Sequence, residues 1–289
     1  IGNVTLISFA FDNSGMSTAN YDNTLIGWNN LPTLQPSLQV GVLGLEYCDG
    51  ESARQNIIDT YSWTFSGDNI QPPVPDVETL SDLTAQCEVS MPTAPSATNC
   101  FGTVSGTPDV TFPVTAQGIT VVTWTFTDSE GNNSTQQQNV IIEDTTDPVP
   151  DVATLPDITA ECSVSMPTAP TASDNCAGTI TATTTQTFPI TDQGTTTITW
   201  EYDDGNGNTV TQTQDVVIED VTDPVPDAAT LSDISAECSV VTPTAPTATD
   251  NCAGTITATT TQAFPITDQG TTTITWEYDD GNGNIVTQT

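Results

Sequence analysis

Seven cysteines and 37 carboxylates are the groups in this chain that could do chemistry, and the residues that would normally work beside them are missing. His is absent, and Lys and Arg together number one, Arg54, which leaves a formal net charge of −36. Without His or Lys there is no Ser-His-Asp triad, no phosphate-loop lysine, no Schiff base and no His-ligated zinc. Lysine-to-asparagine isopeptide cross-links are ruled out as well. No basic patch exists to meet phosphate, so nucleic-acid binding and docking on anionic lipid are disfavoured. Only Arg54 or a chain terminus can form a salt bridge, so the carboxylates must be solvated, hydrogen-bonded or neutralised by bound cations. Paired acids such as Glu161 and Asp174 have the chemistry of a glycosidase. Among so many carboxylates such a pair has no specificity, and the expectation is a protein that is not an enzyme.

The cysteines follow a period. Cys87 and Cys100, Cys162 and Cys176, and Cys238 and Cys252 come as pairs 13 or 14 positions apart, with Cys48 left over. These separations are too wide for a redox CxxC site, and two thiols per unit are too few for zinc. One disulfide within each unit is therefore expected, the alternative being three pairs of buried free thiols. Closing a loop of that size is worth about 3 kcal/mol in the chain-entropy estimate, a large share of a small unit's stability. Disulfides imply an oxidising compartment and an exported protein. Cys48 is expected to be a buried small hydrophobe, since no base stands near it in sequence.

Two acidic clusters also recur. Glu143, Asp144 and Asp147, and then Glu219, Asp220 and Asp223, place three carboxylates in five residues. Hard oxygen ligands of this kind suit Ca²⁺, which would restrain bending where units meet, while the bland reading is a solvated acidic linker. Asp203-Asp204-Gly205-Asn206-Gly207-Asn208 superficially resembles a calcium loop. Thr209 replaces the glycine that an EF-hand loop needs at its sixth position, and the segment runs on as strand rather than helix, so a tight hairpin turn is expected there.

What positions these residues is a repeat of 76 positions. Asp147-Pro148-Val149-Pro150-Asp151 returns as Asp223-Pro224-Val225-Pro226-Asp227, and Thr196-Thr197-Ile198-Thr199-Trp200 returns as Thr272-Thr273-Ile274-Thr275-Trp276. A more diverged copy comes earlier, with Trp124 in the same place. Four segments are expected: 1–70, 71–146, 147–222 and 223–289. Tandem units are a way of making length. In the second copy, Ile198, Trp200 and Tyr202 alternate with Thr197, Thr199 and Glu201, which is strand periodicity, and the tryptophans are expected in the core. Pro148 and Pro150 bar helix. Short strands, turn signals and no helical period predict a mainly β protein of tandem immunoglobulin-like sandwiches in a linear array. Residues 1–70 differ: Tyr21, Leu25 and Trp28, and Ala53, Ile57 and Tyr61, share helical faces, with a helix start near Asp49 and Glu51, and Leu38, Val40 and Val42 alternate. A small α/β cap is expected there. No run of 18 apolar residues is present. The chain opens on Ile1, and its third copy ends at Thr289 where the second runs on through Gln214 to Asp220, so a section of a longer protein is expected.

Pro156-Asp157-Ile158-Thr159, Pro170 through Asp174-Asn175-Cys176, Phe188-Pro189, Gly194-Thr195-Thr196-Thr197 and Gly207-Asn208 together resemble the hyalin-repeat (HYR) module, and all three copies match. Leu155 stands where that family usually has a further cysteine, and the one in its final strand is also missing. Residues 19–28 and 48–68 resemble the closing segment of BspA-type surface repeat proteins. The combination with extreme acidity is similar to very large SprB-type surface adhesins of gliding flavobacteria, exported by the type IX system. That resemblance implies an extracellular, outer-membrane-attached protein serving surface attachment and gliding motility. Its implied partners are external surfaces or polysaccharides and the motility and secretion machinery of the envelope, with no nucleic acid and no direct membrane insertion. It also implies Thr145, in Asp144-Thr145-Thr146, as an O-glycosylation acceptor. The rival readings are an array that binds glycans or proteins through its loops, and a spacer presenting an enzyme domain outside this sequence.

Overall fold

A computed structural model describes residues 6, 7 and 10–289 of the protein, which divides into two compact units, 1–144 and 145–289. The first opens with β1 (Leu6–Ile7), α1 (Thr18–Asn29), β2 (Gln39–Gly41), β3 (Glu46–Tyr47), α2 (Glu51–Tyr61), β4 (Thr64–Ser66) and β5 (Asn69–Ile70). Strands β1, β2 and β4 form a parallel sheet, and β3 pairs in parallel with β5. The expected helical faces are the ones that pack: Tyr21 and Leu25 of α1, Ala53 and Ile57 of α2, and Val40 and Val42 are buried together, with Trp28 and Tyr61 against them. Helix α1 starts at Ser17, whose hydroxyl accepts from the Asn20 amide at 3.4 Å. Helix α2 starts at Gly50. The carboxylate of buried Asp22 accepts from the amides of Cys48, Asp49 and Gly50 and fixes the turn before the helix. A Cβ on Gly50 would lie 2.8 Å from Asp22 Oδ1 and 2.9 Å from Leu25 Cδ1, so only glycine fits under that carboxylate. Arg54, the one basic side chain, is spent on Asp68, donating at 2.7 and 2.8 Å, beside the Tyr21 hydroxyl that donates to the same carboxylate.

Each repeat then lays down two sheets over an apolar core. In the first, β6 (Val74–Pro75), β8 (Ser96–Asn99) and β9 (Gly102–Ser105) make one sheet. The other contains β7 (Leu83–Ala85), β10 (Thr107–Pro108), β11 (Gly118–Thr127) and β12 (Asn133–Ile142). In the second, β13 (Val149–Pro150), β15 (Thr171–Asp174) and β16 (Gly178–Thr181) face β14 (Ile158–Ala160), β17 (Gly194–Asp203) and β18 (Thr209–Ile218). The third has β19 (Val225–Pro226), β20 (Thr247–Asp250) and β21 (Gly254–Thr257), with β22 (Trp276–Asp279) paired to β23 (Ile285–Gln288). These are tandem immunoglobulin-like β-sandwiches.

The long hairpin of each complete repeat carries the core. β17 pairs with β18 from Gly194↔Ile218 to Asp203↔Thr209, so Ile198, Trp200 and Tyr202 all point inward. The tryptophans are core residues as expected, with Trp124 and Trp200 fully buried and Trp276 nearly so. Each of the first two satisfies its indole N–H through a glutamine on the partner strand, Trp124 donating to Gln138 at 3.0 Å and Trp200 to Gln214 at 3.1 Å.

The expected pairing of cysteines within each repeat is wrong. Cys48 is bonded to Cys100 and Cys162 to Cys252, Cys87 and Cys176 are disulfide-bonded too, and Cys238 is a free, exposed thiol. Cys48 is therefore a disulfide partner and not a spare hydrophobe. The reason lies in strand direction. In the first repeat β7 leads to Cys87 alongside the C-terminal end of β12, Ala85 opposite Ile142. Cys100 sits in the β8–β9 turn, whose Asn99 is hydrogen-bonded to Asp128 at the other end of the β11–β12 hairpin. Ten strand residues, about 30 Å, separate those two ends, whereas a disulfide needs Cα atoms within about 7 Å. The two cysteines of a repeat stand at opposite poles, so neither can reach the other.

Candidate metal centre at the acidic repeat junction

Of the two acidic clusters, only the middle residue of each is drawn inside. Asp144 and Asp220 are buried, while Glu143, Asp147, Glu219, Asp223 and Thr145 are exposed. The same device holds both aspartates: the Asp144 amide donates to Gln117 and the Asp220 amide to Gln193, each at 3.0 Å. Asp220 follows the last residues of β18, where strand pairing has ended and the chain turns toward the third repeat.

In the second unit Asp220 meets Asp250 and Asp280, which nothing in the local sequence singles out. One carboxylate oxygen from each lies within 4.8 Å of the others. The three are 5, 6 and 9 % exposed. Asp250 is the last residue of β20, and Asp280 opens the β22–β23 turn. Glu219 and Asp223 do not join this group.

The hydrogen bonds show what holds each oxygen. Asp280 Oδ1 accepts from the amides of Asn282, Gly283 and Asn284 at 2.8, 3.1 and 3.1 Å, and Oδ2 from the Asn284 side chain at 2.7 Å. Burial pushes its acidity constant up, but these donors outweigh it and hold the carboxyl below the ordinary aspartate range. Asp220 Oδ2 accepts from Asn282 Nδ2 at 2.9 Å, and Oδ1 from the Thr222 amide at 3.2 Å. Asp250 Oδ1 accepts from the amides of Cys252 and Ala253 at 2.8 and 2.7 Å. Its Oδ2 is buried and has no hydrogen-bond partner. A buried carboxylate oxygen without a donor is expensive. Carboxylates whose oxygens lie within 4.8 Å of one another also repel by about 3 kcal/mol or more at an effective dielectric constant of about 20. The second unit contains no Lys, Arg or His, so no basic side chain of its own can offset that charge.

The first repeat solves the same position differently. Asn99 ends β8 as Asp250 ends β20, each opposite the glycine that starts the next strand, Gly102 and Gly254. Asn99 Nδ2 donates to Asp128 Oδ2 at 2.8 Å and to the Gln71 carbonyl at 3.2 Å. Asp128 in turn accepts from the Glu130 and Asn132 amides, as Asp280 accepts in its own turn. No acidic residue lies between Asn69 and Val74, the stretch leading into that repeat. Where an amide donor is present the aspartate of the turn is satisfied by the protein alone. Where that donor becomes the carboxylate of Asp250, three carboxylates gather and Asp250 Oδ2 is left without a donor.

The Asp203–Asn208 hairpin is a tight turn, as its sequence suggested: Asp204 Oδ1 accepts from Asn206, Gly207 and Asn208. Its counterpart Asp280 does the same and, in addition, faces Asp220 and Asp250. As read from sequence, the Asp203–Asn208 turn did not point to this meeting of three aspartates in the third repeat. A signal was available: Asp144, Asp174 and Asp204 recur at the period of 76 as Asp220, Asp250 and Asp280.

Residues 146–218 and 221–289 match the model of the HYR-like domain with four cysteines. The second and third repeats are HYR-like domains. Each of these HYR-like repeats carries two cysteines where the family description has four. Hyalin from Lytechinus variegatus is 36% identical over 243 residues, covering 74% of this chain and 44% of its own length. Hyalin from Strongylocentrotus purpuratus is 35% identical over 189 residues, 58% of this chain and 15% of its own. The chain thus spans less than half the length of the curated relatives it matches. Among solved structures, four extracellular cadherin domains of protocadherin gamma B7 align over 78% of this chain and 77% of theirs, at 11% identity and a TM-score of 0.26. No helix among the described residues is long and apolar enough to cross a membrane.

Proposed function

We propose that the chain is a structural and adhesive section of a large exported protein, its HYR-like repeats serving as stapled units that carry load between an envelope and an external surface. The observation that carries this reading is the Cys162–Cys252 bond, which joins the second repeat covalently to the third. A linker held only by solvated acidic residues would extend under small forces, whereas a disulfide across it passes tension from one sandwich to the next. Disulfides also support a location outside the reducing cytosol. The acidic surface supports solubility and disfavours anionic partners, leaving neutral polysaccharide or a solid surface as the fitting ligand class. The resemblance to SprB-type adhesins and to BspA-type termini supports the finer assignment: outer-membrane attachment, type IX export and a role in gliding, with Thr145, exposed beside Asp144, as an O-glycosylation acceptor. The test is retention of beads coated with the chain on glass and on immobilised polysaccharide under flow. Retention above that of albumin-coated beads is expected. Equal retention on every surface would refute the adhesive part.

A further inference from the structure

We propose that Asp220, Asp250 and Asp280 hold a Ca²⁺ ion at the junction of the second and third repeats. The cluster alone would not justify this, since exposed carboxylates often gather without a ligand. Three features of this one do. All three carboxylates are more than nine-tenths buried, and their oxygens converge within 4.8 Å. Asp250 Oδ2 is buried in the same group with no donor to meet it. The first repeat shows what the fold does without a cation, placing the amide of Asn99 against Asp128.

The donor chemistry selects the ion. Only hard oxygens are offered, since the neighbouring Cys252 sulfur is tied up in its disulfide and presents no thiolate. Soft metals are therefore disfavoured, and with no His in the chain the usual zinc and copper ligands are missing. Three carboxylates from separate segments, joined by water, fit the irregular shell of Ca²⁺ better than the strict octahedron of Mg²⁺. Neighbouring side chains brace the ligands. Asn282 holds Asp220, Asn284 bridges Asp280 and the Asp220 carbonyl, and Glu161 takes Thr222 and Asn251. One ligand comes from the segment leaving the second repeat and two from the third, so the ion would lock the junction that Cys162–Cys252 already closes covalently. The site stands independently of the adhesive reading, and either can fail alone.

The experiment uses the intact chain in chelator-treated buffer at neutral pH. Calorimetric titration with CaCl₂, and in parallel with MgCl₂, counts the bound ions in the unsubstituted protein, in Asp250→Asn, in Asp220→Asn and in the exposed control Asp223→Asn. Asp250→Asn supplies the amide that the first repeat uses, so it is expected to fold and to bind one Ca²⁺ fewer. Asp220→Asn is expected to lose the same equivalent, and Asp223→Asn none. In the unsubstituted protein, Ca²⁺ at about 100 times its Kd should raise the melting temperature by about 5 °C or more. Absence of Ca²⁺ binding by the unsubstituted chain, or equal stoichiometry in it and Asp250→Asn, overturns the site. Recovery of a normal circular-dichroism spectrum and an intact Cys162–Cys252 bond separates loss of ligand from loss of fold.

Discussion

Cys162 is bonded to Cys252, 90 residues downstream, and passes over Cys176, which lies 14 positions away. The choice follows from where a β-sandwich puts its turns, and it changes what the disulfide does. A bond within a repeat would brace one sandwich, while this one closes a loop that contains most of the second repeat and the start of the third. In the chain-entropy estimate a loop of that length is worth between 4 and 5 kcal/mol, about half as much again as a loop of 14 residues.

Pulling on the ends of the chain should therefore show the bond directly. With Cys162–Cys252 intact, the 90-residue span it closes is hidden from extension. In Cys162→Ser/Cys252→Ser the unfolded contour should lengthen by up to about 300 Å, at about 3.3 Å per residue, and full reduction, which also opens Cys48–Cys100 and the disulfides of Cys87 and Cys176, should lengthen it further. Single-molecule force spectroscopy measures this, and equal contour lengths for the unsubstituted chain and Cys162→Ser/Cys252→Ser would refute the pairing.

Cys238 is the exposed thiol left by the same rule, one period of 76 after Cys162. One maleimide should add to the native protein, and peptide mapping should find it at Cys238. All seven cysteines should label only after denaturation and reduction. A chain engineered to continue after Thr289 with a second copy of residues 214–289 should protect Cys238, because the copied Cys252 would follow it by 90 positions, as Cys252 follows Cys162. Labelling at Cys100 or Cys252 in the native protein would contradict the assignment.

Gln214 is a polar residue held in the core by two bonds. It accepts from Trp200 Nε1 at 3.1 Å and donates to the Pro156 carbonyl at 2.9 Å, tying β17 to the segment that enters β14. Gln214→Leu keeps the volume and removes both bonds, leaving a buried indole N–H and a carbonyl unpaired. The expected loss is about 1–3 kcal/mol per abandoned group. Chemical denaturation followed by Trp fluorescence reads it, and a change under about 0.5 kcal/mol, the range of an ordinary surface substitution, would show that the network is dispensable.

The fold was legible because its signals are local. Alternation at Ile198, Trp200 and Tyr202 fixes which face is inside, and a helical face at Tyr21 and Leu25 fixes α1. The disulfide pairing was not legible, because proximity in sequence says nothing about which pole of a sandwich a turn occupies. The acidic junction was half legible. Asp220 stands in a dense run of carboxylates and draws the eye, whereas Asp250 ends a strand and Asp280 looks like turn chemistry. Burial, which separates Asp220 from its exposed neighbours Glu219 and Asp223, depends on tertiary placement alone. Gln193 and Gln117, which anchor the buried aspartates, carry no pattern beyond their recurrence.

Stability should be flat around neutrality and fall on both sides, for separable reasons. The absence of His removes the group that ordinarily titrates there. On the acid side, Asp128, Asp204 and Asp280 are buried, which pushes them up, but their turn amides and asparagine side chains prevail and hold each below the usual value of 3.8. The unfolded chain therefore binds protons first, so their contribution is complete above about pH 4 and is lost as pH falls through the lower folded values. On the alkaline side, burial pushes the hydroxyls of Tyr21, Tyr47, Tyr202 and Tyr278 above the usual 10.0, and at Tyr21 the Asp68 carboxylate pushes further the same way. There the unfolded chain loses its protons first, so stability holds below about pH 10 and declines as pH rises beyond it. Urea denaturation from pH 2.5 to 11.5 should trace this plateau with two shoulders. Tyr21→Phe should soften the alkaline shoulder of the first unit, and Asp128→Asn the acid one. An acid limb unchanged by Asp128→Asn would show that the turn carboxylates do not set it.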